Sequence, residues 1–369
     1  MNLKTQKIVL CALCLLCALC ASGQKNPYIS KVYEFVPAPG QFVNALPEWE
    51  EGDDAEAMRK KVEECLANHN QTAISLGNWG GYVIFGFDHE VKNTPGEYDL
   101  KILGNSFYYE NDEGEVSVKS GSAEPGIVMV SYDANGNGQP DDVWYELAGS
   151  VYNDPKTKHG YTCTYYRPAA DHVATPDNKN KYIKDSTYIR WVANDGETGY
   201  VKKLSFNRQN YYPEWIEADS LVFHGTRLPD NSIDRSGNGT DMVLYCYDWG
   251  YVDNHPNNTT LDKTDESIPE YLRHVSEFKI DWAVDDEGNA VELPGIHFVK
   301  VYTGVNLFNG WMGEASTELL DAWDLHLIDA DGNPVPEKVE PSPYDIDGDG
   351  RITIDDITIL ISIYLGDSV

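Results

Sequence analysis

The sequence lacks the short signatures of the common catalytic sites. Its 369 residues contain no G-x-S-x-G elbow, no H-E-x-x-H helix and no Walker-type phosphate loop. These absences exclude the usual serine hydrolases, zinc peptidases and nucleotide-binding ATPases. They do not exclude a glycoside hydrolase, because 60 acidic residues offer many carboxylate pairs whose separation in space the sequence does not show.

Cysteine is scarce outside the first 20 residues. Four of the seven cysteines are Cys11, Cys14, Cys17 and Cys20, and the others are Cys65, Cys163 and Cys246. An odd number leaves at least one of these three unpaired within the chain, although Cys163 and Cys246 lie in strand-like runs and could pair. Beyond residue 20 there is no C-x-x-C pair or Cys/His cluster, which argues against a structural zinc site.

Basic residues are also few. The chain has 28 Lys and Arg against 60 Asp and Glu, for a formal net charge of -32. Such a surface repels nucleic acid and anionic membranes. The acid excess suits calcium binding and a secreted, soluble protein.

Long hydrophobic runs are absent except at the N-terminus. Lys4 and Lys7 precede an apolar run from Ile8 to Cys20, and small residues then allow cleavage before Gln24. We therefore expect a signal peptide at 1–23. The run is too short to cross a bilayer comfortably, and the residues before the leader cysteines match a lipoprotein site poorly, so secretion is favoured over a lipid anchor.

The body of the chain predicts a mainly β fold. Asp53 to His69 is the one strong helical segment before the C-terminus, with Asp53 or Asp54 as its cap. Turn signals separate ten strand-like runs, which indicates an antiparallel β-sandwich or jelly roll. The expected strands are Tyr82–Phe87, Tyr98–Leu103, Gly126–Ser131, Val143–Ala148, Tyr161–Tyr166, Ser186–Val192, Ser220–Thr226, Met242–Tyr247, Phe278–Val284 and His297–Tyr302.

Proline marks the boundary of a small terminal module. Four prolines fall within residues 333–343, which predicts an extended linker. The expected domains are a β-sandwich body at 24–332, formed as one domain or as two packed sub-domains, this linker, and a module at 344–369.

The terminal module opens with a calcium-binding pattern. The predicted ligands are Asp345, Asp347, Asp349, the carbonyl of Arg351, and Asp356. They occupy loop positions 1, 3, 5, 7 and 12 of an EF-hand-like loop, with Gly350 at the sharp turn. The departure from an EF-hand is Asp, in place of Glu, at the last position.

Residues 344–366, with the tail I-T-I-L-I-S-I-Y-L, resemble one half of a type I dockerin. That resemblance implies a calcium-dependent docking surface and a cohesin as partner. A complete dockerin carries two such loops, so a cohesin does not follow from one, and another surface protein remains open. The predicted docking residues are Ile354, Asp355, Ile357, Leu360, Ile361 and Ile363.

A second resemblance covers roughly residues 30–330. The strings S-L-G-N-W-G-G-Y-V-I-F-G-F-D-H, G-N-S-F, E-P-G-I-V-M-V-S-Y-D-A-N-G-N-G, N-Y-Y-P-E-W and G-Y-V-D-N-H-P-N carry it. It is similar to a family of uncharacterised bacterial cell-surface proteins with a lectin-like β-sandwich, some encoded beside cobalamin-uptake systems. The resemblance implies a surface setting and a binding role.

The segment from Asp133 to Asp142 is a second candidate calcium loop. Its predicted ligands are Asp133, Asn135, Asn137, Asp141 and Asp142. The first three repeat the 1, 3, 5 spacing, but Trp144 stands where the last ligand belongs. The alternative is a hairpin built from Asn-Gly turns.

Aromatic residues in polar or Gly-rich turns suggest a ligand surface. Sugar rings and corrin faces both present flat apolar surface that aromatic platforms suit. The candidate binding residues are Trp79, Tyr82, Tyr211, Tyr212, Trp215, Trp249, His255 and Trp311. The alternative for each is a place in the core. No catalytic residue is assigned, although Glu124, Asp88 and His89 stand out as polar residues within these motifs.

Three functions remain open at this point. The first is a secreted or cell-surface, non-catalytic protein that captures a glycan or other nutrient and docks through a calcium-dependent tail. The second is a dockerin-bearing enzyme that hydrolyses polysaccharide. The third is an accessory protein of cobalamin uptake.

Overall fold

In a computed structural model, the protein is mainly β, and all strand pairings among the described residues are antiparallel. The structure describes residues 25–110, 116–329, 332–335, 346, 354 and 356–359. Within these ranges, no helix combines the length and apolar character needed to span a membrane. The chain divides into two compact units, Pro27–Leu325 and a second made of Met1–Asn26 with His326–Val369.

The first unit contains the strands and two α-helices. The strands are β1 Lys31–Val36, β2 Ile74–Ser75, β3 Tyr82–Lys92, β4 Leu100–Leu103, β5 Tyr108–Glu110, β6 Val116–Gly121, β7 Gly126–Ser131, β8 Trp144–Leu147, β9 Lys158–Tyr166, β10 Ile183–Ala193, β11 Thr198–Leu204, β12 Ser220–Arg227, β13 Ser232–Asp234, β14 Met242–Tyr245, β15 Glu277–Phe278, β16 Ala283–Val284, β17 Gly295–Thr303, β18 Glu318–Leu319 and β19 Asp321–Asp324. The helices are α1 Ala55–Leu66 and α2 Glu270–Arg273, with 3₁₀ turns at Ala67–His69, Ile280–Trp282, Gly310–Met312 and Leu325–Leu327.

The strands form five sheets. The largest has six strands in the order β1-β3-β17-β7-β8-β16, and two have four strands, β11-β10-β9-β12 and β13-β14-β6-β5. The two smallest are β15-β4-β19 and β18-β2. Several small antiparallel sheets are more typical of a propeller-like arrangement than of two large facing sheets.

One face of the six-stranded sheet packs on helix α1. Val83, Val301 and Val128 lie opposite one another on β3, β17 and β7. All three are fully buried in one cluster with Met58 and Val62 of the helix. Aliphatic side chains at alternate strand positions fill this face, as expected for a sheet covered by another layer.

The opposite face of the same sheet meets the β9–β12 sheet. Tyr82, Tyr302 and Ile127 lie side by side on this face. The hydroxyl of Tyr302 accepts a hydrogen bond from the amide of Thr226 in β12 at 3.0 Å. Tyr302 therefore links the two sheets directly.

Helix α1 begins where the sequence predicts. The Asp54 side chain accepts a hydrogen bond from the amide of Ala57 at 2.8 Å, which caps the helix. Met58, Val62 and Leu66 fall on the buried face. The helix ends at Leu66, three residues before the predicted end, because Ala67–His69 form a 3₁₀ turn in which Asn68 is left-handed.

One predicted strand is wrong. The run Phe278–Val284 is not one strand, because a 3₁₀ turn at Ile280–Trp282 separates β15 from β16.

Cys163 and Cys246 do not pair, and Cys65 is also free. Cys163 lies buried in the β9–β12 sheet, where burial raises the pKa of its thiol to about 12 and keeps it unreactive.

Candidate functional site

Most of the predicted C-terminal calcium loop lies outside the described residues. Asp345, Asp347, Asp349 and Arg351 fall there, as do the docking residues Asp355, Leu360, Ile361 and Ile363. Among the described positions, Asp356 is buried, and its Oδ1 accepts a hydrogen bond from the amide of Ile346 at 2.7 Å. Positions 2 and 12 of the predicted loop are therefore in contact. Ile354 is exposed and Ile357 is half-buried.

The Asp133 loop joins β7 to β8 and closes on its own side chains. Asp133 accepts hydrogen bonds from the amides of Asn137 and Gly138 at 3.1 and 2.8 Å. The amide side chains of Asn135 and Asn137 both donate to Asp141. Asp142 accepts from the amide of Ala134, so each of the five predicted side chains forms a hydrogen bond within the loop. Carboxylate and amide oxygens of this kind are calcium ligands.

The structure contains a third loop of similar spacing that is not among the predicted calcium sites. It runs D-R-S-G-N-G-T-D from Asp234 to Asp241 and connects β13 to β14. Asp234 accepts hydrogen bonds from the amides of Ser236, Gly237 and Gly239. The D-x-S-x-N-G spacing is the signal that could have found it.

Four of the predicted aromatic platforms are core residues instead. Trp79, Tyr211 and Tyr212 are fully buried, and Trp215 is 8% exposed. Trp79 donates its indole N–H to the carbonyl of Thr226 at 3.1 Å and packs edge-on against Tyr161. These four side chains form no ligand surface in this structure, because the predicted turns pack inward.

The structure brings Trp249 and His255 together, but without room for a ligand. Both line a cavity of about 10 Å³, which is space for a single water. Trp249 packs on Trp282 with ring centroids 4.6 Å apart. Tyr82 is half-buried beneath Lys300, whose Nζ lies 4.1 Å from the ring centroid. None of these three side chains offers an open platform.

Trp311 alone among the predicted binding residues lies on an open cleft. We call this the Trp311 cleft, and it has a volume of about 690 Å³. The lining residues are Lys179, Lys181, Tyr182, Phe206, Thr240 and Trp311. Trp311 is 44% exposed and Phe206 is 51% exposed. The volume is in the range of pockets that hold small ligands.

Loops that leave the sheets position these side chains. Tyr182 immediately precedes β10, and Phe206 follows β11. The amide of Ser205 donates to the carbonyl of Tyr182 at 2.8 Å, which brings the rings of Tyr182 and Phe206 to a centroid distance of 6.3 Å. The amide of Trp311 donates to the carbonyl of Gly239 at 2.9 Å, so the short 3₁₀ turn is held against the Asp234 loop.

Glycine is required where these two loops meet. Gly310 has a φ of +60°, and a Cβ at this position would lie 2.1 Å from the carbonyl oxygen of Gly239. Only a residue without a side chain permits this approach. The backbone of the turn N-G-W-M-G therefore lies against the Asp234 loop, and the side chain of Trp311 is left exposed to solvent.

A polar pocket of about 270 Å³ adjoins the Trp311 cleft and shares Lys179 with it. Its lining residues are Asp177, Lys179, Asn180, Ile183, Lys202, Asp234, Gly237, Asn238, Gly239, Met242, Phe308 and Gly310. Aromatic rings in one cleft next to amide, carboxylate and ammonium groups in the other form a surface with both stacking and hydrogen-bonding capacity.

A separate cluster of three carboxylates lies in the same unit. We call Glu124, Asp253 and Glu318 the acidic centre, since one oxygen from each lies within 4.8 Å of the others. Asp253 and Glu318 are buried, and Glu124 is partly exposed. Carboxylates this close either retain protons or hold a cation between them.

Backbone amides and close packing fix the acidic centre. Asp253 accepts hydrogen bonds from the amides of Asn105 and Glu318 at 2.8 and 3.0 Å. The amide of Ser316 donates to Glu124 at 3.1 Å. A Cβ on Gly104 would lie 2.5 Å from Oδ1 of Asp253, so the G-N-S-F motif needs its glycine here.

Burial raises the pKa of all three carboxyl groups. Burial raises the pKa of Asp253 to about 7. Burial, followed by repulsion from the neighbouring carboxylates, raises the pKa of Glu124 and Glu318 well above the usual range. Glu124 stands out in the sequence as a polar residue within its motif, whereas no local pattern marks Asp253 or Glu318, because the centre joins distant parts of the chain.

Stability is expected to fall as pH rises through the range in which the acidic centre ionises. The folded state retains protons up to about pH 7 on Asp253, whereas an unfolded Asp releases its proton near pH 4. The folded state therefore binds more protons between these values, and the free energy of unfolding decreases across them. In Glu318→Gln, one carboxylate is lost, and we expect the difference in stability between pH 5 and pH 8 to shrink by roughly 1–3 kcal/mol.

Urea unfolding at the two pH values measures this difference. Glu97→Gln, which removes a negative charge from an exposed position, serves as the control for the overall net charge. An equal pH dependence in wild type and Glu318→Gln would contradict the assignment.

No protein-family model matches the chain, and no curated protein matches it significantly. The two resemblances therefore depend on the quoted motifs alone, and the function is argued from the geometry of the sites.

Proposed function

We propose that this protein is a secreted or cell-surface, non-catalytic binding protein that captures a glycan in the Trp311 cleft. The observation that carries the proposal is the exposed pair Trp311 and Phe206 on one cleft of about 690 Å³. A sugar ring presents an apolar C–H face to such rings while its hydroxyls reach hydrogen-bonding groups. Lys179, Lys181 and Thr240 on the cleft supply those groups.

A glycan array probed with the mature chain tests this function. We expect binding to a defined set of sugars, with no sugar released from those ligands on prolonged incubation. Failure to bind any sugar would sink the proposal. A rise in melting temperature with cobalamin instead would favour the cobalamin-uptake alternative.

We also propose that the six-stranded sheet and the β9–β12 sheet form the lectin-like sandwich that the family resemblance implies. The hydrogen bond between Tyr302 and Thr226 supports this pairing. So does the close approach of Gly225, where a Cβ would lie 2.9 Å from the Tyr302 hydroxyl. The loops of the β9–β12 sheet that contribute Tyr182 and Phe206 then lie at the sandwich edge, as in many sugar-binding β-proteins.

The second part of the proposal is a calcium-dependent docking tail. The contact between Ile346 and Asp356 supports a closed EF-hand-like loop at residues 345–356. Ile354, which is 57% exposed, supports an apolar surface that would bind a cohesin-like or other surface protein. The self-contained network of the Asp133 loop supports calcium there as well.

Calcium titration of the full chain is expected to give two ions bound per molecule. Asp345→Ala combined with Asp347→Ala is expected to remove one ion, because both ligands sit at the start of the terminal loop. Asp133→Ala is expected to remove the other, because it removes a ligand and two loop hydrogen bonds. Isothermal titration calorimetry after chelation measures the stoichiometry.

Asp285→Ala is the matched control for these variants. Asp285 also accepts a hydrogen bond within its own turn, from the amide of Asn289 at 2.8 Å, but lies in neither proposed calcium loop. Two ions bound by the Asp133 variant would remove that loop from the proposal.

The acidic centre favours one alternative, a polysaccharide-degrading enzyme. Glycoside hydrolases use two carboxyl groups, one of which has a raised pKa, and Glu124 and Glu318 meet both requirements. These acids line none of the clefts described above, so we place this function second. If the wild type released reducing sugar and Glu124→Gln did not, the enzyme would become the favoured function.

A further inference from the structure

The Trp311 cleft and its adjoining pocket gather positive charge on a strongly acidic protein. Lys179 and Lys181 line the cleft, and Lys202 lines the pocket. The protein as a whole has a net charge of -32, so a cluster of three lysines is a local reversal of sign. A reversal of this kind at a ligand cleft attracts anions.

None of these three ammonium groups forms an ion pair within the described part of the chain. Two of them lie over aromatic rings instead. Lys181 Nζ is 5.1 Å from the Tyr182 ring centroid, and Lys202 Nζ is 4.6 Å from that of Phe308. Lys158, by contrast, contacts both Asp195 and Glu197 at less than 3 Å. The cleft lysines therefore retain hydrogen-bond donors for a ligand.

The two carboxylates of the adjoining pocket are already engaged by backbone amides. Asp177 Oδ1 accepts from the amides of Lys179 and Asn180 at 2.7 and 2.9 Å. Asp234 accepts from three amides of its own loop. Hydrogen bonds lower the pKa of both acids, with a smaller contribution at Asp177 from Lys202 and Lys179, so both stay ionised. Three ammonium groups against two engaged carboxylates leave the site with a net positive charge.

We propose that the Trp311 cleft selects sugars that carry a negative charge, a carboxylate or a sulfate group. This inference depends on the proposed glycan-binding function and specifies its ligand class. The apolar face of the sugar stacks on Trp311 or Phe206, and the anionic group reaches the ammonium groups of Lys179, Lys181 or Lys202. Charge-assisted hydrogen bonds of this type are shorter and stronger than neutral ones.

A matched pair of ligands tests the role of charge. The probes are an oligogalacturonate and the same oligomer with every carboxylate methyl-esterified, which removes the charge and keeps the ring. A chondroitin sulfate oligosaccharide and its desulfated form, which retains the uronate, test sulfate separately. We expect the mature chain to bind at least one charged form at least tenfold more tightly than its less charged partner at low salt, and the preference to weaken as salt rises.

The variant Lys179→Gln, Lys181→Gln, Lys202→Gln is expected to lose this preference, so that the ratio of its affinities for the charged and the less charged partner falls toward one. The control variant Lys60→Gln, Lys119→Gln, Lys156→Gln makes the same change of charge at exposed positions outside the cleft and is expected to keep the preference. Calorimetry gives the affinities.

The possible results test the preference for charged sugars and the proposed glycan binding separately. Equal affinity for charged and less charged partners, with both lost in Trp311→Ala, would overturn the inference and leave glycan capture intact. Loss of the preference in both lysine variants alike would assign it to overall charge and would also overturn the inference. Absence of binding to every sugar would overturn both.

Discussion

Trp311→Ala is expected to weaken glycan binding by at least about 30-fold while the melting temperature stays close to that of wild type. A buried aromatic anchor typically accounts for 2 kcal/mol or more of binding free energy, which corresponds to this factor. Because Trp311 is 44% exposed in the free protein and leaves no core cavity when truncated, the loss is confined to the ligand. Calorimetry with the best ligand from the glycan array measures the change.

Phe107→Ala is the control for that experiment. Phe107 is 62% exposed and lies outside the Trp311 cleft, so its removal tests whether any exposed ring contributes. An unchanged affinity in Trp311→Ala would reject the cleft as the glycan site. A similar loss in both variants would point to nonspecific apolar binding.

Trp79→Ala is expected to lower the free energy of unfolding by about 3–5 kcal/mol, the largest effect on stability among the aromatic positions considered. The side chain is fully buried between the sheets. Its removal leaves a cavity beside Tyr161 and leaves the carbonyl of Thr226 without its indole donor. Denaturant unfolding measures the loss, because the midpoint shifts in proportion to stability.

The variant Trp79→Phe separates the effect of the cavity from the effect of the lost hydrogen bond. It retains most of the buried ring but removes the hydrogen bond to Thr226, so we expect a smaller loss than in Trp79→Ala. A Trp79→Ala variant as stable as wild type that no longer binds glycan would restore the interpretation of Trp79 as a ligand platform.

The contrast between Trp79 and Trp311 shows where sequence reasoning fails. Both tryptophans lie in Gly-rich turns, a pattern that predicts an exposed ring. In the G-N-W-G-G turn the glycines instead permit close packing, since a Cβ on Gly77 or Gly81 would lie 1.9 Å from a carbonyl oxygen of a neighbouring strand or loop. Near Trp311 the same residue type lets two loops meet beneath an outward-facing ring. The pattern alone does not distinguish these outcomes, because both depend on distant chain segments.

The sequence predicted the secondary structure better than it predicted the sites. The apolar run from Gly126 to Ser131 predicted β7 at its observed bounds, and a cap at Asp53 or Asp54 predicted the start of α1. Local propensity and periodicity are properties of a short segment, so they can be read in isolation. The acidic centre has no such local sign, because its three residues are brought together from positions 124, 253 and 318. The predicted strands likewise do not show which strands pair, so the division into five sheets could not be predicted.

The placement of the cleft has a consequence for how binding specificity can change. Its aromatic residues lie outside the strands: Tyr182 precedes β10, Phe206 follows β11, and Trp311 is in the 3₁₀ turn at Gly310–Met312. None of the three belongs to a buried hydrophobic cluster. Substitution at Tyr182, Phe206 or Trp311 therefore leaves the hydrophobic core untouched. A combinatorial library that randomises these positions and keeps Gly239 and Gly310 is expected to retain folding in most members. Under the proposed function, variants with new sugar specificities could then be selected from this one fold.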